Sequence, residues 1–181
     1  MTQRLFVGFL LFVSFATVAE PYTVNPGDVL QVFVWNEEEL SRETLVRPDG
    51  MISFPMIGDV QAIGSTPTEL AAKVSEGLSK FLRDAPVVTV SALQLNGNKV
   101  FVLGKVARPG EFLMTSSTDV TQALALAGGL NTFAAEDDIK VLRRNKDGSQ
   151  SAIPFNYASV KVGKKLDTNI ILQSGDVVVV P

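Results

Sequence analysis

The chain has 181 residues, 46% of them hydrophobic and 19% charged, with a formal net charge of −3, the make-up of a folded globular protein and not of a disordered one. It contains no histidine and no cysteine, which removes Ser-His-Asp and Cys-His nucleophile systems, the usual zinc sites, disulfides and an acylated N-terminal cysteine. No cofactor is expected. The acidic balance argues against nucleic acid or an anionic membrane surface as a partner, and the length suits one or two small domains.

Residues 1–19 stand apart. Arg4 is the only charge before Glu20, Leu5 to Phe15 is an apolar run of secretory length, and Thr17-Val18-Ala19 offers small residues for cleavage. The run is shorter than the roughly 20 residues that span a bilayer. A cleaved signal peptide is expected, with an uncleaved anchor as the alternative, so the chain is expected to be exported and its mature form to start near Glu20.

Residues 20–97 read as a first unit. Asn25-Pro26-Gly27-Asp28 is a turn, and the strand it starts, Val29 to Trp35, has one polar position, so both faces are predicted to be largely buried; Trp35 could stack on a sugar ring, but inside an apolar strand it is predicted to sit in the core. Leu45-Val46-Arg47 and Met51 to Phe54 flank Pro48-Asp49-Gly50, an Asp-Gly hairpin signal, and Pro55 and Gly58 precede a short strand, Asp59 to Ala62. These strands are expected to form one small sheet. Thr66-Pro67-Thr68-Glu69 is a capping box that opens a helix with Leu70, Val74, Leu78 and Phe81 on one face, ended by Asp84-Ala85-Pro86. A strand from Val87 to Leu95 completes a helix on a sheet, and Asn96-Gly97-Asn98 closes the unit.

Residues 98–181 repeat the device. A strand from Val100 to Val106, a Pro109-Gly110 turn and a strand from Phe112 to Met114 lead to a helix capped at Ser117-Thr118-Asp119, with Val120, Leu124 and Ala127 on one face and Gly128-Gly129 at its end. Ile139 to Arg144 and Ser149 to Pro154 form a hairpin, and Val177 to Val180 is a last strand. The order suggests a ubiquitin-like β-grasp, so the fold class is α+β. Gly27-Asp28-Val29 and Gly175-Asp176-Val177 echo each other, a resemblance that turn-then-strand geometry alone can produce.

Carboxylates are the remaining candidates for chemistry. Glu37-Glu38-Glu39 and Glu136-Asp137-Asp138 could supply the paired acids of a glycosidase or ligands for calcium, but adjacent acids point different ways and charge runs usually face water. Arg47 and Asp49 are the candidate binding residues: they could hold sugar hydroxyls or an anionic sugar, or Asp49 could fix the turn while Arg47 bonds to a neighbouring strand. Arg143-Arg144 with Lys146 is the one basic cluster, read as a solvated hairpin tip or as a contact for an acidic polymer.

Two groups of residues carry a family resemblance. Tyr22 to Val24, Pro26 to Leu30, Trp35, Val46 to Gly50, Ile52, Phe54-Pro55 and Gly58 resemble the opening domain of bacterial polysaccharide export proteins of the Wza type. Val102, Gly104, Val106, Pro109-Gly110, Ala123 to Gly129 and Gly175-Asp176 to Pro181 resemble the soluble-ligand-binding β-grasp (SLBB) repeat that follows it. The resemblance implies a non-enzymatic periplasmic component of a capsule or exopolysaccharide export system, a homo-oligomeric ring through which the polysaccharide passes, with an inner-membrane polysaccharide co-polymerase as partner. Fuller members add an acylated cysteine, further repeats and a C-terminal amphipathic helix. With no cysteine, one repeat and an end at Pro181, this chain is expected to rely on a separate outer-membrane channel. Two other readings stay open: a monomeric periplasmic saccharide-binding adaptor, and a polysaccharide-modifying enzyme that would need Glu38 or Asp137.

Overall fold

The computed structural model describes residues 21–145 and 147–181; the expected signal peptide and Lys146 lie outside them. Two buried cores form, one from Val24 to Val90 and the other from Val100 to Val180. The class is α+β, as expected.

In the first unit β1 (Val29–Val34) is the central strand of an antiparallel sheet, flanked by β2 (Arg42–Leu45) and β5 (Val88–Gln94). Its inward residues Leu30, Val32 and Val34 are buried against Leu70, Val74 and Leu78 of α1 (Pro67–Leu78). Full burial of each such side chain stabilises by about 1.5–3 kcal/mol. The capping box is complete: Glu69 N–H donates to the Thr66 hydroxyl at 3.2 Å and Thr66 N–H to the Glu69 carboxylate at 2.8 Å.

Three expectations fail here for identifiable reasons. Only one face of β1 is buried: Phe33 is 45% exposed and Trp35, just past the strand, is 62% exposed, because none of the described residues packs on the sheet face opposite α1. The Pro48-Asp49-Gly50 turn does close, with Gly50 N–H donating to the Arg47 carbonyl and Arg47 N–H to the Met51 carbonyl, both at 2.9 Å. The flanking strands nevertheless separate into two sheets, since β2 takes the open edge of β1 while β3 (Met51–Phe54) folds back on β4 (Gly58–Gln61). Finally, α1 stops at Leu78, short of Phe81, which is left exposed.

The second unit is a five-stranded sheet in the order β7-β6-β10-β8-β9. Its strands are β6 (Lys99–Gly104), β7 (Gly110–Leu113), β8 (Ile139–Arg144), β9 (Gln150–Phe155) and β10 (Val177–Val180). The last strand runs parallel to β6, Val178 opposite Val102, and antiparallel to β8, Val178 opposite Val141. Two hairpins with the final strand inserted between their first members is the β-grasp arrangement. Helix α2 (Val120–Leu126) covers the sheet with Val120, Ala123 and Leu124, and Asp119 with Gln122 forms its capping box. Between β9 and β10 lie a short helix α3 (Tyr157–Val160) and a 3-10 turn at Leu166–Thr168, which turn signals in the sequence did not reveal. Among the described residues no helix is long and apolar enough to cross a membrane.

Candidate functional site

Arg47 and Asp49 do come together. The Asp49 carboxylate accepts from Met51 N–H at 3.1 Å, which fixes the turn, and pairs with the Arg47 guanidinium. Arg47 also reaches Asp59 at 2.9 Å and the Ser53 hydroxyl at 3.0 Å, while Ser53 donates to Asp59 at 2.8 Å. The Ser53 hydrogen bond and then Arg47 hold the Asp59 carboxyl below the usual range, and Asp59 with Asp49 raises the Arg47 guanidinium above its own. All three charged side chains are close to half exposed. The cluster therefore clips the turn onto the β3-β4 hairpin and presents to solvent an edge with one guanidinium and two carboxylates, net charge about −1, whose carboxylate oxygens can accept from sugar hydroxyls. Ser53 and Asp59 were missed in the sequence; they are direct partners in the β3-β4 register, a signal available only once that hairpin is recognised.

The acidic runs stay on the surface. Glu136 pairs with Lys161 and Asp138 with Lys140, and among the described residues no group of acids is gathered closely enough to hold a metal ion. The basic cluster is not a uniformly solvated tip: Arg143 is folded inward, its Nε 3.0 Å and Nη2 2.6 Å from the Asp176 carboxylate and Nη2 3.1 Å from the Ile171 carbonyl. Asp176 is 1% exposed, so its charge needs this partner, and the paired guanidinium is taken out of the exposed set. Arg144 remains exposed.

The two Gly-Asp turns share more than a sequence pattern. In each the aspartate carboxylate accepts from the N–H three residues earlier, Asn25 to Asp28 at 2.8 Å and Gln173 to Asp176 at 2.9 Å. Both carboxylates are buried. They meet across the segment joining the cores: Gly97 N–H donates to Asp28 at 2.9 Å, and the Ser174 hydroxyl donates to the Gly97 carbonyl at 2.6 Å. Gly97 lies so close to the first turn that an added Cβ would run into the Pro26 carbonyl.

A helix-on-sheet unit joined through its Gly-Asp turn to a β-grasp unit defines an α+β protein built of two small units. Residues 16–93 match the family model described as polysaccharide biosynthesis/export protein, and residues 99–154 match that of the SLBB domain. The chain belongs to the bacterial polysaccharide export proteins, an export domain followed by an SLBB domain. It is 29% identical to the EPS I polysaccharide export outer membrane protein EpsA of Ralstonia nicotianae, over 88% of this chain and 47% of that one. It is 32% identical to the polysialic acid transport protein KpsD of Escherichia coli, over 69% of this chain and 23% of that one. With the capsule polysaccharide export outer membrane protein CtrA of Neisseria meningitidis serogroup A the identity is 25%, over 86% and 43%. The chain thus spans about half the length, or less, of these relatives.

Proposed function

We propose that this chain is a periplasmic, non-catalytic component of a capsule or exopolysaccharide export system, assembling into a ring that forms or completes the conduit. The observation that carries the reading is the order of its two domains, matched by relatives that are named as export and transport proteins. A passage for a long polymer needs a hydrated lining and no reacting group. Rings arise from heterologous contacts that close by rotation. Among the described residues, the edge strands β2 and β5 of one sheet and β7 and β9 of the other have one side without a neighbouring strand, which suits such contacts. An inner-membrane polysaccharide co-polymerase and an outer-membrane channel are its proposed partners, and Arg47 with Asp49 its proposed hydroxyl-binding edge.

Native mass spectrometry of the purified chain over a concentration series, with and without the periplasmic part of a co-polymerase from the same cell, tests the ring. A discrete closed oligomer is expected, alone or with the partner. A monomer under every condition contradicts the ring, and stoichiometric oligosaccharide binding by that monomer would establish an adaptor instead.

A further inference from the structure

The sheet face left open by α1 ends in a cleft that the Arg47 cluster does not touch. One wall is Trp35 with Asn36 and Glu37, at the end of β1; the other is the segment after α1, with Phe81, Arg83 and Asp84. The space between them is about 420 Å³, within the range of small-molecule sites. Both walls are fixed. Trp35 N–H donates to the Val87 carbonyl at 3.0 Å and so ties one wall to the other, and Phe81 N–H donates to the Leu78 carbonyl at 2.9 Å. The Ser75 hydroxyl of α1 donates to the Pro86 carbonyl at 2.7 Å, and the Ser41 hydroxyl accepts from Val34 N–H at 2.9 Å, anchoring the loop after Trp35. Phe33 meets the indole in a T-shaped contact, ring centroids 6.5 Å apart, a geometry that occupies at most one face of one ring.

We infer that this cleft is a binding subsite for uncharged pyranose units of the polysaccharide, with Trp35 and Phe81 as stacking platforms. Trp35 is 62% and Phe81 56% exposed, an arrangement that forgoes the burial these large rings could gain and marks a ligand groove when polar groups rim it. A pyranose has an apolar face of C–H groups and an edge of hydroxyls. The C–H hydrogens carry partial positive charge and are drawn to the negative face of an aromatic ring. The hydroxyls need donors and acceptors at the rim: the Glu37 and Asp84 carboxylates accept, the Arg83 guanidinium donates, and the Asn36 amide does both. Two carboxylates against one guanidinium leave the rim negative, so uronic and sialic acids are repelled and neutral sugars are favoured. The assignment rests on the export reading for the class of ligand.

Trp35 is the chain's only tryptophan, so its fluorescence reports from inside the cleft. Titration of the whole mature chain with cellohexaose, maltohexaose and a galactan hexasaccharide, against polygalacturonate as the charged probe, is expected to give a saturable change with at least one neutral probe. Phe81→Ala should weaken that binding at least roughly tenfold, about 1.4 kcal/mol, with the circular dichroism spectrum unchanged. The proposal is overturned if no neutral hexasaccharide saturates, if only polygalacturonate does, if Phe81→Ala binds as tightly as the parent, or if the signal follows protein concentration alone, which would put a second copy in the cleft. In cells the two readings separate: secretion lost on deletion of the chain but unchanged when Trp35→Ala and Phe81→Ala are combined overturns the subsite and leaves the export role standing, whereas secretion unchanged on deletion removes the export role itself.

Discussion

Asp28 and Asp176 are carboxylates that the fold takes out of water, and each is held differently. Asp176 keeps its charge compensated by the Arg143 guanidinium. Among the described residues Asp28 accepts from Asn25 N–H, Gly97 N–H and the Tyr22 hydroxyl, none of them a cation. Tyr22 therefore loses its proton with difficulty: burial first, then the hydrogen bond to Asp28 and the carboxylate's charge, raise its pKa well above the ordinary 10.0. The unfolded chain releases that proton near its ordinary value while the folded chain retains it, so the stabilisation is complete below pH 10 and declines as the pH rises beyond it. Denaturant titrations of the parent and Tyr22→Phe should differ by a constant amount below that pH, and the parent's relative stability should fall above it. A difference that stays level into strong alkali contradicts the role given to Tyr22. The sequence did show the Gly-Asp echo, but not that the second aspartate claims Arg143, because the two are 33 residues apart and come together only when β10 inserts beside β8.

Among the elements, those with local chemistry were legible. Thr66-Pro67-Thr68-Glu69 fixed the start of α1 because a capping box satisfies its own orphan donors whatever the rest of the chain does. The valine run of β10 was legible for a similar reason: a strand apolar on every residue has to sit inside a sheet. Trp35, Phe33 and Phe81 were not. Their composition predicts burial, and an apolar side chain held at the surface for a ligand or partner looks the same in sequence as one in a core. The β2-β3 hairpin failed for another reason, since an Asp-Gly turn dictates a reversal of direction but not whether the strands beyond it stay together. Gly97 belongs to this scale, because its small size lets the joining segment lie between the two turns. Gly97→Ala must displace the Pro26 carbonyl or the segment itself, at a cost of about 1–3 kcal/mol. Thermal or denaturant unfolding of that variant should show the loss. Full stability would mean that the close packing of the joint is not required.

For the whole molecule, the two cores have separate residues and a common seam, the Asp28-Gly97-Ser174 set of hydrogen bonds. That seam fixes how the β-grasp unit is carried relative to the export unit, which is what a subunit in a closed assembly needs if each copy is to present the same surfaces at the same angle. In the proposed ring, the aromatic cleft and the Arg47 cluster would each be presented once per subunit. In the sequence, the α+β class and the two-part order were legible because turns and caps punctuate the chain so regularly. Which surfaces stay open was not, because exposure depends on what packs across the sheet.

In the proposed function, this chain is required for a polysaccharide to leave the cell. The direct measurement is the amount of polymer on the surface and in the medium of the bacterium that carries it, compared between the parent, a strain lacking the chain and that strain with the chain restored. Secreted polymer should fall sharply in the deletion strain, polymer should accumulate within the envelope, and the restored chain should reverse both. Parental levels of secreted polymer without the chain would contradict the account.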